Sequence, residues 1–353
     1  MKIALRRIFQ KKALLWFIII ALFLTVKVGT VLFVNEFHWN FQYLDTWIAG
    51  CSALDEDALG SYIAELVSDI REDKQKQKAA ERDLSALLAS YENRVDMQRL
   101  IDFAQNGEGI LNIHIPQNFE ELLGFYKTLD TPSLLNEQPL DRFFEMQRFN
   151  VVPLIVLLLS AFFWGEFYES GIYRLTASMT EGSRYTNASH ILLECTSILL
   201  LLINELIDLW QSGSLRYPYL WGCPVQSYHP FRYMQMNTAL GMALFLSVLS
   251  KLFGTLVLCH CGKMIARWKK TVKDSVVYAV VLVVLLFFIG KALENTELRS
   301  IVQLGVVDWQ NILRSTTILL PLQANSLVIG LVAVIMLELA FAVHTAYHTL
   351  KHK

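Results

Sequence analysis

Residues 165–190 read GEFYESGIYRLTASMTEGSRYTNASH, between VVPLIVLLLSAFFW (151–164) and ILLECTSILLLLI (191–203). A turn between two helices needs only a few residues. This insert is longer, carries both signs of charge, and separates two of the most apolar runs in the chain. What it does depends on which side of a membrane it occupies, so the spans on either side have to be counted and oriented.

The chain of 353 residues is 54% hydrophobic and only 18% charged, against about 45–50% and about 25% in soluble domains. A spanning helix needs about 20 mostly apolar residues. Six segments meet or approach that length: 13–34, 149–165, 191–210, 236–261, 275–292 and 325–346. The first follows Lys2, Arg6, Arg7, Lys11 and Lys12. It reads as a retained helix, because its apolar core is too long for a signal peptide and no small-residue cleavage site follows.

Lys and Arg in short flanking loops mark the cytoplasmic side. They gather in the N-terminal segment 1–12, in the loop 262–274 (GKMIARWKKTVKD) and in the tail 347–353 (YHTLKHK). Six spans with both termini inside place all of them in the cytoplasm. The expected fold is therefore an all-α polytopic membrane protein with six transmembrane helices. Segments 35–148, 211–235 and 293–324 then lie outside, and the insert 166–190 lies inside, in a bacterial cytoplasmic membrane.

Residues 35–148 form a mostly helical extracytoplasmic domain between the first and second spans. No Gly or Pro occurs from Ser61 to Asn106. Leu59, Ile63, Leu66 and Ile70 step by helical intervals, as do Leu84, Leu88, Tyr91 and Val95. The polar centre REDKQKQKAAER allows one long helix or a two-helix hairpin, closed by QNGEG at 105–109. ILNIHIP (110–116) alternates like a short strand, and Asn118 with Glu121 resembles a capping box. Cys51 and Cys223 both lie outside, where disulfides are permitted.

The five cysteines form neither a disulfide scaffold nor a CxxC zinc site. Cys259, His260 and Cys261 are adjacent, and three neighbours alone do not close a tetrahedral site, so no metal is expected. A net charge of −1 gives no sign of nucleic-acid binding. Charged groups inside the spans are costly and mark function or pairing. Lys251 in the fourth span, Glu338 in the sixth and Glu194 in the third fall at one level when counted from the span ends. Lys251 is expected to pair with Glu338 or Glu194, while Glu205 and Asp208 meet the outer interface.

Within the insert, Tyr168, Ile172, Leu175 and Met179 step by helical intervals, with Glu166, Glu169, Ser170 and Arg174 on the other face. This suits an amphipathic helix at the inner interface, ended by Glu181-Gly182 ahead of a cap at Ser183 or Asn187. With the six-span plan, the run Glu169-Ser170-Gly171, Leu175, Ser178 and Ser183-Arg184 resembles the ABC-2 type permeases, the membrane subunits of one class of ABC transporters. The chain departs from their pattern in having Thr180 near where proline is frequent, and His190 where a basic residue often precedes the third span.

The resemblance implies that Glu166, Glu169, Ser170, Gly171, Arg174, Leu175, Ser178 and Arg184 belong to a coupling helix that docks on a cytosolic ATPase. It also implies a second permease copy, or a related permease, as partner in the bilayer. No G-x-x-x-x-G-K-[ST] occurs in the chain, so ATP and Mg²⁺ would be bound by the separate ATPase and no cofactor by this chain. Export of an unspecified cargo is the leading expectation, with no catalytic residues here. The alternatives are a sensor or immunity protein that binds an extracellular peptide, or a polytopic membrane enzyme. The enzyme reading lacks the clustered intramembrane acids and histidines it would need, since Glu120-Glu121 lies outside and His344 and His348 sit at the inner boundary.

Overall fold

The computed structural model describes residues 21, 23–32, 43–51, 54, 56–72, 74–107, 119–147, 151–179, 182–232 and 237–292. Among these the chain is mostly helical, with no strand. Three helices are long and apolar enough to cross a membrane: Gln138–Glu169, Arg184–Ser212 and Leu240–Lys269. This is a membrane protein by that measure. The expected strand 110–116, Asn118, the sixth span with Glu338, the loop 293–324, the tail 347–353 and the segment 1–12 all lie outside the described residues.

The helices are α1 (Phe23–Leu32), α2 (Leu44–Cys51), α3 (Glu56–Glu72), α4 (Lys74–Asn106), α5 (Phe119–Tyr126) and α6 (Gln138–Gln147). They continue as α7 (Val152–Glu169), α8 (Ile172–Ser178), α9 (Gly182–Ser212), α10 (Leu240–Lys269) and α11 (Val272–Ala292). Four 3₁₀ turns between Ser214 and Phe231 link α9 to α10.

Helices α2 to α6 and the 3₁₀ turns make one helical domain at one end of the long helices. Of the two arrangements left open for 61–106, the hairpin is the one formed. Leu59 and Ile63 of α3 pack with Leu87 of α4, beside Leu66, Leu88 and Tyr91. The fully buried line of α4 is not the apolar stripe but the neighbouring one, through Asp83, Leu87, Ser90, Asn93, Met97 and Leu100. Its polar members are buried because they hold backbone groups of irregular segments, the condition under which polar side chains tolerate burial. Asp83 accepts from the N–H groups of Tyr43 and Leu44, where α2 begins. The Ser90 hydroxyl accepts from Leu135 N–H, and Asn93 donates to the carbonyls of Gln226 and Ser227. Cys51 and Cys223 are both free thiols.

The first turns of α10 belong to this domain. Leu240, Ala243 and Leu244 are buried with Phe143 and Phe144 of α6 and with Leu220, Tyr228 and Phe231 of the 3₁₀ turns. Backbone bonds Val225 N–H to Thr238 and Leu240 N–H to Cys223 pin the start of α10 there.

Beyond the domain, α7 is the central helix and packs on α10 and α11. Leu157 and Ala161 of α7 meet Leu258 of α10 and Ala279 of α11. The α7–α10 crossing is tight at Gly262, where an added Cβ would come within 2.7 Å of Ser160 Cβ and 2.8 Å of the Leu157 carbonyl oxygen. Small residues let helix backbones approach in this way where lipid supplies no hydrophobic drive.

Two expected loops are largely helix. The basic segment 262–274 continues α10 to Lys269, and Lys270, with φ 59°, then turns the chain straight into α11. In 166–190, α7 runs on to Glu169, α8 occupies Ile172–Ser178, and α9 starts at Gly182. Lysine and arginine extend a helix readily, so the basic composition of 262–274 located that segment without showing its conformation.

Candidate functional site

The long helices enclose two polar layers. Along α9, Glu194 and Glu205 are separated by about 16 Å at the 1.5 Å rise of a helix.

The first layer lies just beneath the helical domain and joins four helices. Lys251 Nζ of α10 donates to both Glu205 oxygens of α9, at 2.7 and 2.8 Å, and to Gln147 Oε1 of α6 at 2.8 Å. The Gln147 amide donates in turn to Glu205 and Asp208. Asp208 pairs with Lys27 of α1 and accepts from Asn204. Lys27, Gln147, Asn204, Glu205, Asp208 and Lys251 are all buried. Two cations face two carboxylates, with an amide bridging them, which is the satisfied arrangement that buried ions need.

Of the two expected partners of Lys251, Glu194 is not the one it meets: it pairs with Glu205, and the other expected partner, Glu338, lies outside the described residues. Glu205 and Asp208 do not meet an interface but are enclosed. The cause is register: the opening turns of α10 are spent inside the helical domain, so counting depth from residue 236 set Lys251 too deep. Lys27 and Gln147 were not anticipated, although a lysine within an apolar run was the available signal for the first.

The second layer lies toward the Gly182 end. His190 and Glu194, four apart on α9, share one face and meet His260 of α10. Glu194 Oε1 is 3.2 Å from His190 Nε2 and 3.1 Å from His260 Nε2. The two imidazoles stand edge to face with centroids 4.5 Å apart, and Trp164 of α7 closes the other side, 6.0 Å from the His190 ring. The Lys263 ammonium lies over the Trp164 ring, 4.8 Å from its centroid.

Next to this layer is the short helix α8. Gly171 ends α7 at φ 70°, a left-handed conformation that glycine adopts without a Cβ clash. Tyr168, Ile172 and Tyr173 pack against the buried cluster of Trp164, Phe167, Leu193 and Ala266. Leu175 and Met179, the far half of the anticipated stripe, are 62% exposed.

The remaining insert residues are placed as follows. Glu169 Oε2 accepts from Val272 N–H at 2.6 Å and so caps α11. Ser170 and Ser178 bond back to the carbonyls of Glu166 and Leu175. Arg174 is exposed, and its Nε donates to the Tyr173 hydroxyl, whose pKa is lowered chiefly by that bond. Glu166 is half-buried and Arg184 exposed. The expected single helix through Tyr168, Ile172, Leu175 and Met179 is thus corrected: Gly171 divides it, leaving Tyr168 at the end of α7, and Gly182, expected to break a helix, starts α9. The capping role of Glu169, reaching a helix distant in sequence, was not legible. Comparison with protein-family models, with curated proteins and with solved structures returned no match to this chain.

Proposed function

We propose that this chain is the permease subunit of an ABC transporter of the ABC-2 type, driven by a separate cytosolic ATPase. The observation that carries this reading is α8. It is anchored on one side to α7, whose terminal residue Glu169 also caps α11, and it presents Leu175 and Met179 on the other. A short helix held by two spans and apolar on its free side is suited to receive a push and pass it on as rigid-body motion. Arg174 and Arg184 beside it are both exposed, in keeping with the cytoplasmic side of a six-span, multi-pass chain in a bacterial cell membrane.

In this reading a second permease copy, or a related permease, completes the pathway, and ATP and Mg²⁺ are bound by the ATPase. Export is the proposed direction, and the helical domain at the far end then lies outside the cell. That domain also supports the second reading, a sensor or immunity protein for an extracellular peptide, since its α3–α4 hairpin and 3₁₀ turns form an ordered body of their own.

Co-expression with each ABC ATPase of the host, followed by ATP hydrolysis in reconstituted membranes, tests the first reading. One ATPase is expected to be stimulated, and Leu175→Asp with Met179→Asp to remove that stimulation while the chain still inserts. Stimulation of none of them, or stimulation unaffected by the double substitution, overturns it.

A further inference from the structure

We propose that His190, Glu194 and His260 form a binding site for one divalent cation of the zinc class, which ties the Gly182 end of α9 to α10. The inference stands whether or not an ATPase pushes on α8.

Three features carry it. The ligand atoms of the three side chains lie within 4.8 Å of one another. A tetrahedral ion with bonds of about 2.0–2.1 Å holds its ligands about 3.3 Å apart along each edge. The two nitrogen-to-Glu194 separations of 3.2 and 3.1 Å match that edge. The third edge, between the two imidazole nitrogens, is bounded only at 4.8 Å, so a shared centre requires the rings to draw together by side-chain rotation.

The second feature is a set of polar atoms that lack hydrogen bonds. Neither ring nitrogen of His190 makes one, although Nε2 lies 3.2 Å from the Glu194 carboxylate. Trp164 Nε1 and Ser189 Oγ are buried beside it in the same condition. Buried polar atoms without partners are uncommon and call for a specific cause. Coordination supplies one for His190 Nε2 alone, since a ring nitrogen facing a metal offers its lone pair instead of an N–H; it does not account for Nδ1, Trp164 Nε1 or Ser189 Oγ.

The third feature is the donor set. Two imidazoles and one carboxylate suit zinc and its neighbours, and an all-oxygen cage would be needed to favour magnesium or calcium. Three protein ligands leave a fourth position for water. Lys263 opposes a dication by charge, and Glu194 offsets it within the triad; the ammonium itself is placed over Trp164. The adjacent Cys259 and Cys261 are not required, because His190 and Glu194 provide what the tripeptide lacks.

The test uses the full chain purified in detergent, stripped with a chelator and titrated with Co²⁺. One Co²⁺ per chain is expected, with the strong visible bands of low coordination and no thiolate charge-transfer band, and with displacement by Zn²⁺ but not Mg²⁺. His190→Gln and His260→Gln should each weaken binding at least about tenfold, while Cys261→Ser leaves it unchanged. If these variants fail to fold, the wild-type chain still decides: Zn²⁺ should raise its thermal midpoint, as any ligand selective for the folded state does, and Mg²⁺ should not. Binding that persists in both histidine variants, a thiolate spectrum, or no Zn²⁺-specific stabilisation overturns the proposal.

Discussion

Lys251 of α10 chelates both carboxylate oxygens of Glu205 of α9, at 2.7 and 2.8 Å, with its side chain 1% exposed. Removing one partner of such a pair strands the other, at a cost of about 3–5 kcal/mol, whereas replacing both is often close to neutral. Lys251→Met should therefore be strongly destabilising, and Lys251→Met with Glu205→Gln much less so than the sum of the single changes. Thermal unfolding of the four members of the cycle in detergent measures the difference. Additive losses would show that the two groups do not interact.

Lys27 is the buried member of α1, with Leu24, Val28 and Leu32 exposed around the same helix. Its bond to Asp208 is thus the polar attachment of α1 to α9. Asp208→Asn should loosen α1 while the α7–α10–α11 contacts persist. Faster hydrogen exchange over 23–32, with that of α7 unchanged, is the expected result. Equal acceleration in both helices would mean that Asp208 supports the whole bundle.

At Gly262 a Cβ would meet Ser160 Cβ, the Ala161 nitrogen and the Leu157 carbonyl, all below 3.0 Å. None of these is the movable tip of a long side chain. Gly262→Ala should separate α7 from α10 and cost about 1–3 kcal/mol, as overpacking does. The thermal midpoint checks this, and an unchanged value would place the crossing further apart.

Glu137, ahead of α6 in the helical domain, has its pKa raised from 4.5 to about 8 by burial, with His229 N–H lowering it and Asp141 raising it. The folded state therefore holds this proton more tightly than the unfolded chain. The stabilising contribution is complete below pH 4.5 and is lost progressively as pH rises toward about 8. Glu137→Gln keeps the neutral shape and should remove that part of the pH dependence. A thermal-midpoint profile as steep in the variant as in the wild type would assign the slope to another group.

Much of the fold was legible because helical periodicity and long apolar runs survive any tertiary arrangement. The α3 stripe and the helix end at QNGEG follow from local spacing, whereas the expected α4 stripe is one position off the buried line and the Tyr168–Met179 stripe is divided at Gly171. The buried line of α4 was hidden, since Asp83, Ser90 and Asn93 look like solvent-facing residues until their backbone partners are known. Lys251 was recognised as a buried cation, but its partner depends on how much of α10 the helical domain absorbs. His190, Glu194 and His260 were each noticed separately. Only the packing of α9 on α10 brings them to one point, and no single-chain periodicity encodes that crossing.

The layer of Lys27, Lys251, Glu205 and Asp208 holds two positive and two negative groups. Wherever the protons reside among them, the four side chains sum to zero. A charge moved through a membrane potential gains or loses about 2.3 kcal/mol per 100 mV, but a neutral cluster displaced as a unit carries no gating charge. Any rearrangement that slides this layer along the membrane normal is thus electrically silent, and the voltage across the bilayer exerts no net pull on it.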